Sequence, residues 1–264
     1  GLVGSEMCIR DRPGGEANAT VTVAIGPEGL YRPLQAAFAG ATATIDLNIY
    51  TFEHPELAQA VAAAARRGVR VRVLLDGSPA GGISTEEQWC AAVMAAAGVD
   101  VRYMAVSDAA PTGYRKRYRF NHAKYAVIDG QRVFVGTDNF NLDSVPLPAA
   151  SALGGRRGVY LFTDAAIVVA TLQRIFTADW GDGRFLDVRP FEPGHPKYGG
   201  PPADFVLPPA PVYPVTVAPF AAPVSASGVG RFVVGTAPEN AVRGDDGLHG
   251  LIARTGAGDE LLVT

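Results

Sequence analysis

The chain has 264 residues, of which 48% are hydrophobic and 19% are charged, and its formal net charge at pH 7 is -3. These values are ordinary for a globular protein with one large domain or two small ones. The small acidic charge excludes a global basic field, so any binding of a polyanion must depend on a local patch. No apolar run approaches the roughly 18 residues that a membrane-spanning helix needs, and we expect a soluble protein.

The start of the chain lacks an initiator Met and the regions of a signal peptide, and we predict a non-native or disordered leader over residues 1–18. Without Cys8 of this leader, Cys90 stands alone and no intrachain disulfide framework is possible. No Cys/His cluster has zinc spacing and no Gly-Lys-Ser/Thr phosphate loop exists, so neither a metal nor another cofactor is implied. These features are compatible with a cytoplasmic protein and with an exported one.

Strand and helix patterns alternate before the centre of the chain. The predicted strands cover 20–25, 44–52, 69–75 and 99–104, and the predicted helices begin near 27, 55 and 85. After the centre we predict a strand over 157–163 and a helix over 165–180 with Asp164 as its cap. This order indicates an α/β layered fold with a substantially parallel sheet.

A hairpin is predicted at the centre, with its turn at Asp129-Gly130 between two strand-forming runs. Antiparallel pairing about this turn brings residues 136–139 beside His122 and Lys124. Because side chains alternate along a strand, His122 and Lys124 are expected on one face.

The hairpin gathers an imidazole, an ammonium, a hydroxyl and an amide, which together make an anion site with a nucleophile. Lys124 supplies a point charge, and Thr137 and Asn139 supply neutral donors. His122 can attack phosphorus or transfer a proton near neutral pH. We therefore expect Lys124, Thr137 and Asn139 to bind a substrate phosphate.

This pattern resembles the HKD motif of the phospholipase D superfamily. The matching positions are His122, Lys124, Asp129, Gly136, Thr137 and Asn139. Thr137 stands where the family more often has Ser, and the hydroxyl is kept. A chance His-x-Lys on a half-solvated strand would not explain six matching positions.

The resemblance implies a phospholipase D-like layered sandwich with a mixed, largely parallel sheet flanked by helices. It also implies metal-independent chemistry through a covalent phosphohistidine, with His122, Lys124 and Asp129 as the catalytic group. Within this group we expect Asp129 to fix the turn through nearby backbone and not to transfer protons.

The predicted domain organisation follows from composition and from a weak internal sequence repeat. We predict a phospholipase D-like domain over 19–184, a Pro/Gly-rich connector over 185–235, and the truncated start of a second such domain over 236–264. The resemblance implies that a second motif, in the full-length chain or in a homodimer, supplies another catalytic His.

A basic aromatic segment runs into the motif and forms a possible substrate rim, made of Arg115, Lys116, Arg117 and Arg119. Such a rim grips a phosphodiester or stacks on a base. The alternative is a solvated loop whose arginines pair with surface acids.

Other candidate residues are less persuasive. Asp143 and Asp164 follow the motif without a spacing that suits a carboxylate orienting His122. His54 is read as a helix-entry residue before Pro55 rather than as a site residue. The second His-x-Lys, residues 195–197, is read as a solvated loop because a proline interrupts it.

The leading function is phosphodiester hydrolysis or phosphatidyl transfer on a phospholipid, as in phospholipase D or cardiolipin synthase. One alternative is a phospholipase D-like nuclease acting on DNA or RNA. An alternative of another class is a noncatalytic anion-binding module, against which the intact His122, Lys124 and Asn139 count.

Overall fold

The structure is a computed structural model, and it describes residues 14–148, 155–181, 185–211, 220–237 and 248–258. The strands are β1 (Gly14–Ile25), β2 (Thr44–Ile49), β3 (Arg70–Asp76), β4 (Asp100–Met104), β5 (Lys124–Ile128), β6 (Arg132–Gly136), β7 (Val159–Thr163), β8 (Arg189–Pro190) and β9 (Val224–Val233). The helices are α1 (Tyr31–Ala39), α2 (Pro55–Arg66), α3 (Thr85–Ala96), α4 (Ala166–Trp180) and α5 (Leu248–Arg254). None of the helices in these ranges is long and apolar enough to cross a bilayer.

The described strands form one mixed sheet in the order β8-β4-β3-β2-β5-β6-β7-β1-β9. The prediction of a mixed sheet flanked by helices is confirmed, but the prediction that it is largely parallel is wrong. Only the pairs β2–β3 and β3–β4 are parallel, and six pairings are antiparallel. One reason is that a tight turn at Asp129-Gly130 joins β5 to β6, and such a direct connection gives antiparallel neighbours.

Helices cover both faces of the sheet. On one face, α1, α2 and α3 pack over a large core in which Phe38, Phe134 and Phe140 meet edge to face or tilted. On the other face, α4 packs Phe176 and Trp180 against the sheet. The layered sandwich therefore follows from one apolar stripe per helix and apolar residues on both faces of the central strands.

At the β1–β9 edge of the sheet, the structure differs from the predicted bounds of the leader and of the connector. Residues 14–18, assigned to a leader, form the first part of β1 and pair with residues 229–233 of β9. Hydroxyl pairs between Thr20 and Ser227 and between Thr22 and Ser225, at 2.8 and 2.7 Å, strengthen this ribbon. The predicted connector therefore contributes β8 and β9 to the main sheet, because alternating small residues in β9 can pair although prolines surround them.

The predicted start of a second domain falls mostly outside the described residues. Residues 238–247 and 259–264 lie outside them, and so does 1–13 of the predicted leader. Helix α5 lies within the predicted start of the second domain, residues 236–264. The second domain stays a prediction.

Candidate active site

Several strand ends meet at one edge of the sheet. The carboxyl ends of β2 and β3 lie there beside the amino end of β5, since Ile49 pairs with Lys124 in an antiparallel ladder. The carboxyl end of β6 joins them because Tyr125 pairs with Val135 across the hairpin. The hairpin register predicted from the sequence is confirmed, and it places residues 136–139 at the edge that carries Lys124.

His122 and Lys124 converge on one aromatic ring. His122 lies just before β5 and is exposed, and its ring centroid is 4.7 Å from that of Tyr50. Lys124 is buried, with its Nζ 5.2 Å from the centroid of the same ring and 3.0 Å from the His122 carbonyl oxygen. Tyr50 therefore forms a wall that both polar groups share.

The electrostatics of the pair suit nucleophilic attack on an anion. Partial burial, and then the nearby Lys124 ammonium, lower the pKa of His122, while the Asp76 carboxylate opposes this shift. Burial lowers the pKa of Lys124 to about 8, against an opposing effect of Asp138. At pH 7 the imidazole is therefore neutral and nucleophilic, whereas most Lys124 side chains still carry a charge.

Gly136 and Asn139 shape the floor beside Lys124. A Cβ at position 136 would lie 2.2 Å from the Tyr160 ring, so only glycine lets this fully buried ring pack there. The Asn139 Oδ1 atom is buried and has no hydrogen-bond partner in the described parts of the chain. An amide oxygen only accepts hydrogen bonds, so this atom would need a donor from a ligand, and the Asn139 Nδ2 group is the part of the side chain that would donate to a phosphate oxygen.

Thr137 does not fit its predicted role as a phosphate ligand. Its hydroxyl donates to the Asp138 carboxylate at 2.6 Å and accepts the Val159 N–H at 3.0 Å. The hydroxyl thus links the end of β6 to the start of β7, and its single O–H donor, which a phosphate oxygen would need, is already used.

Asp129 lies at the opposite end of β5 from Lys124, so it does not belong to the catalytic group that the motif implies. Its carboxylate accepts the N–H groups of Thr42, Ala43 and Thr44 at 2.7–3.1 Å and the Thr42 hydroxyl at 3.0 Å. Asp129 and Gly130 have φ of 55° and 63°, as the predicted turn requires. The carboxylate is bonded to backbone as expected, but its partners lie at the start of β2 rather than in the turn, and its structural role stays a prediction.

The basic rim is smaller than predicted. The Arg117 guanidinium donates to the fully buried Asp187 and to the carbonyl oxygens of Ala178 and Asp179. Lys116 Nζ lies 3.5 Å from the Asp76 carboxylate. These two cations hold the loop to the protein, because acids that are distant in sequence lie under it.

Arg115 and Arg119 stay exposed at the rim, and the Arg119 guanidinium lies 5.4 Å from the ring of the exposed Phe120. The Phe120 ring contacts Tyr50 edge to face, at 6.3 Å between centroids. The exposed Phe120 ring, between the Arg119 guanidinium and the Tyr50 wall, is therefore the outer boundary of the site.

The remaining candidates lie away from the reacting groups. His54 is buried and caps α2 by accepting the Leu57 N–H, which confirms the helix-entry interpretation. The half-buried His195 accepts N–H groups within its own turn, which agrees with the loop interpretation. Asp164 accepts the Thr20 N–H rather than capping α4, and Asp143 faces Arg156 at 3.8 Å.

A buried polar network beneath His122 was missed at the sequence level. Asn121 donates its N–H to Asp76 at 2.5 Å and its side-chain amide to Asn48 at 2.7 Å. Asn48 in turn lies 3.5 Å from the Tyr125 hydroxyl. The available signal was an acid or amide within otherwise apolar strands, since such residues are seldom buried without a partner.

Comparison with known proteins agrees with this geometry. The family model described as "Cardiolipin synthase, PLD-like domain" matches residues 34–180. The mitochondrial cardiolipin hydrolase of Xenopus laevis is 28% identical over 153 residues, which are 58% of this chain and 62% of that protein. The human mitochondrial cardiolipin hydrolase is 32% identical over 127 residues, which are 46% of this chain and 41% of that protein.

A solved structure shares the fold. The phospholipase D family member Nuc from Salmonella typhimurium superposes with a TM-score of 0.53 at 19% identity, covering 66% of this chain and 99% of that one. The alignments span about three-fifths or less of the length of the curated relatives. Because the family model matches more than half of this chain, and its range contains the whole motif, the chain belongs to the phospholipase D superfamily.

Proposed function

We propose that the protein cleaves or transfers phosphodiesters through a covalent phosphohistidine on His122, without a metal ion. The observation that carries this proposal is the shared Tyr50 wall, which holds a neutral, exposed imidazole and a buried ammonium within about 5 Å of one ring. Lys124 and Asn139 bind the nonbridging oxygens, and Lys124 neutralises charge that builds up on them in the transition state.

The reaction needs an attacking nucleophile and a proton donor on opposite sides of phosphorus. A ring nitrogen of His122 forms the P–N bond while the P–O bond of the leaving alcohol breaks, and a second imidazole protonates that alcohol. Water or another alcohol then attacks phosphorus and releases His122. Of the other histidines, His54 is buried and caps α2, His195 lies in a turn outside the motif, and His249 lies in α5. We therefore assign the second imidazole to another copy of the motif, in a homodimer or in a further domain.

We assign a phospholipid as the substrate. Supporting this choice, the relatives with the names quoted above are cardiolipin hydrolases. The exposed Phe120 beside Arg119 suits a surface that carries both acyl chains and phosphates. The same pair would also stack on a base, so a nuclease acting on DNA or RNA is the second candidate.

The experiment uses the His122→Ala and Lys124→Ala variants with a chromogenic phosphodiester, in the presence of a chelator. We expect each variant to lose turnover by 100-fold or more, the scale of a lost nucleophile or oxyanion donor. The matched controls are His195→Ala and Lys197→Ala, because they remove the same residue types from the other His-x-Lys. Wild-type turnover in either motif variant would contradict the proposal.

Substrate class and assembly are measured on the same preparations. The protein is incubated in one assay with vesicles that contain cardiolipin and in another with single-stranded DNA. We expect phosphoester cleavage only in the vesicle assay. Exclusive DNA cleavage would favour the second candidate. Solution mass is determined alongside turnover, and brisk His122-dependent hydrolysis by a strict monomer of this chain would refute the need for a second copy.

A further inference from the structure

We propose that Asp76 is a positioning residue for His122, because its buried carboxylate holds the backbone at Asn121 and ties the segment carrying the nucleophile to the end of β3. The proposal adds a residue upstream of the motif to the reaction. The expected effects on turnover rest on the proposed function, whereas the expected effects on the position and the pKa of His122 do not.

The geometry around Asp76 is specific. The residue is fully buried at the last position of β3, with Oδ1 accepting the Ser78 N–H at 2.6 Å. Oδ2 accepts the Asn121 N–H at 2.5 Å and lies 3.5 Å from Lys116 Nζ. Both oxygens are thus occupied by groups that fix loops, and one of those loops continues directly into His122.

Asn121 is held at a second point, which makes the restraint effective. Its side-chain amide donates to the buried Asn48 Oδ1 on β2 at 2.7 Å. His122 itself lies before β5 and is not part of the backbone ladder. Its position therefore depends on the clamp at Asn121, on the Lys124 hydrogen bond to its carbonyl oxygen and on contact with Tyr50. Small displacements of a reacting group are expensive in rate.

The carboxylate also acts on His122 through its charge. The groups that face the imidazole are the Tyr50 ring, the Lys124 ammonium, which lowers its pKa, and Asp76, which raises it. Lys116 offsets part of the Asp76 charge, and Asp138 acts on Lys124. Neither downstream acid considered from the sequence orients His122 here, since Asp164 is bonded to Thr20 and Asp143 faces Arg156.

The test compares Asp76→Asn with Asp100→Asn in the whole chain. Asp100 begins β4, whereas Asp76 pairs with Met104 at the last position of that strand. Asp100 forms an exposed ion pair with Arg102, so its variant removes one charge without touching the clamp. The His122 ring is titrated by NMR, with His122→Ala used to assign its signal. We expect Asp76→Asn to lower the His122 pKa and to leave an amide at Asn121 that exchanges faster, and Asp100→Asn to change neither.

The kinetic arm separates positioning from binding. With the chromogenic diester, we expect Asp76→Asn to lower kcat by roughly 10- to 100-fold with little change in KM, and to move the acid limb of the pH profile to lower pH. A variant with unchanged His122 titration and unchanged Asn121 exchange would overturn the proposal. Those two NMR readouts need no turnover, so they distinguish this failure from a failure of the proposed function.

If Asp76→Asn does not fold, the wild-type protein still decides the matter. The Asn121 amide lies outside the strands, yet donation to a buried carboxylate predicts that it exchanges slowly, as strand amides do. An Asn121 amide that exchanges at the rate of an open loop would overturn the proposal.

Discussion

Asp129 connects the catalytic hairpin to the start of β2, and its substitution tests whether the motif acid is structural. The carboxylate accepts hydrogen bonds from four donor groups of residues 42–44, and the Asp129 backbone N–H donates to the Thr44 carbonyl oxygen at 2.8 Å. Two variants separate its contributions. Asp129→Asn keeps a side chain that tolerates positive φ but loses the charge, and Asp129→Ala loses both the acceptor and that tolerance.

The magnitude follows from these contacts. A hydrogen bond to a charged acceptor contributes about 1.5–3 kcal/mol, but bonds that share one partly solvated carboxylate do not add. We therefore expect Asp129→Asn to lower the free energy of unfolding by about 1 kcal/mol. Asp129→Ala should cost about 2–3 kcal/mol, since a left-handed backbone adds roughly 1 kcal/mol of strain.

The pH dependence gives a sharper readout. Burial tends to raise the pKa of Asp129, but the N–H groups of Thr44, Ala43 and Thr42 outweigh it and the net shift is downward. A lowered pKa means that the stabilisation is complete above the unfolded-state value of about 3.9 and is lost as pH falls through the folded-state pKa. The difference between wild type and Asp129→Asn should therefore be largest at pH 7 and shrink at acidic pH.

Urea unfolding at a series of pH values measures this difference, with Asp204→Asn in an exposed loop as the control for losing one charge. We expect the control to stay within about 0.5 kcal/mol of wild type. A changed pH profile of turnover together with unchanged stability in Asp129→Asn would refute the structural role.

Three further predictions concern the core and the site. Burial raises the pKa of Glu87 far above its usual range, so the Glu87 contribution to stability should fall by about 1.4 kcal/mol per pH unit as pH rises from about 4.5 towards the raised folded-state pKa. Glu87→Gln should remove this slope, and the same pH dependence of unfolding in both proteins would contradict the reasoning. Gly136→Ala should cost about 1–3 kcal/mol in a thermal or urea melt because its Cβ would overlap the Tyr160 ring, whereas Gly15→Ala, which meets open space, should be near neutral; equal effects would contradict the packing argument. Sulfate affinity, measured by calorimetry, should fall as pH rises through about 8, because Lys124 then loses its proton, and Lys124→Arg should keep the affinity at high pH; a loss that persists in that variant would assign the titration to another group.

Local signals in the sequence determined the hairpin and the face that carries the motif. Asp129-Gly130 predicts the turn through backbone chemistry, and the spacing to Gly136 then sets which residues stand beside Lys124. Most helix and strand positions before the hairpin also follow from apolar periodicity and from caps such as Ser84, which accepts the Glu87 N–H. These features are encoded within a few residues of one another, and single-sequence patterns can therefore reveal them.

Only the tertiary structure decided which partners the polar side chains have. Asp129 reaches residues 42–44, Arg117 reaches Asp187, and Asp76 reaches Asn121, all across long separations in sequence. The antiparallel majority of the sheet and the place of β9 beside β1 likewise depend on which strands meet after the chain has folded. A buried charge requires a partner, but its own sequence neighbourhood does not specify which one, because that choice is made by packing between distant segments.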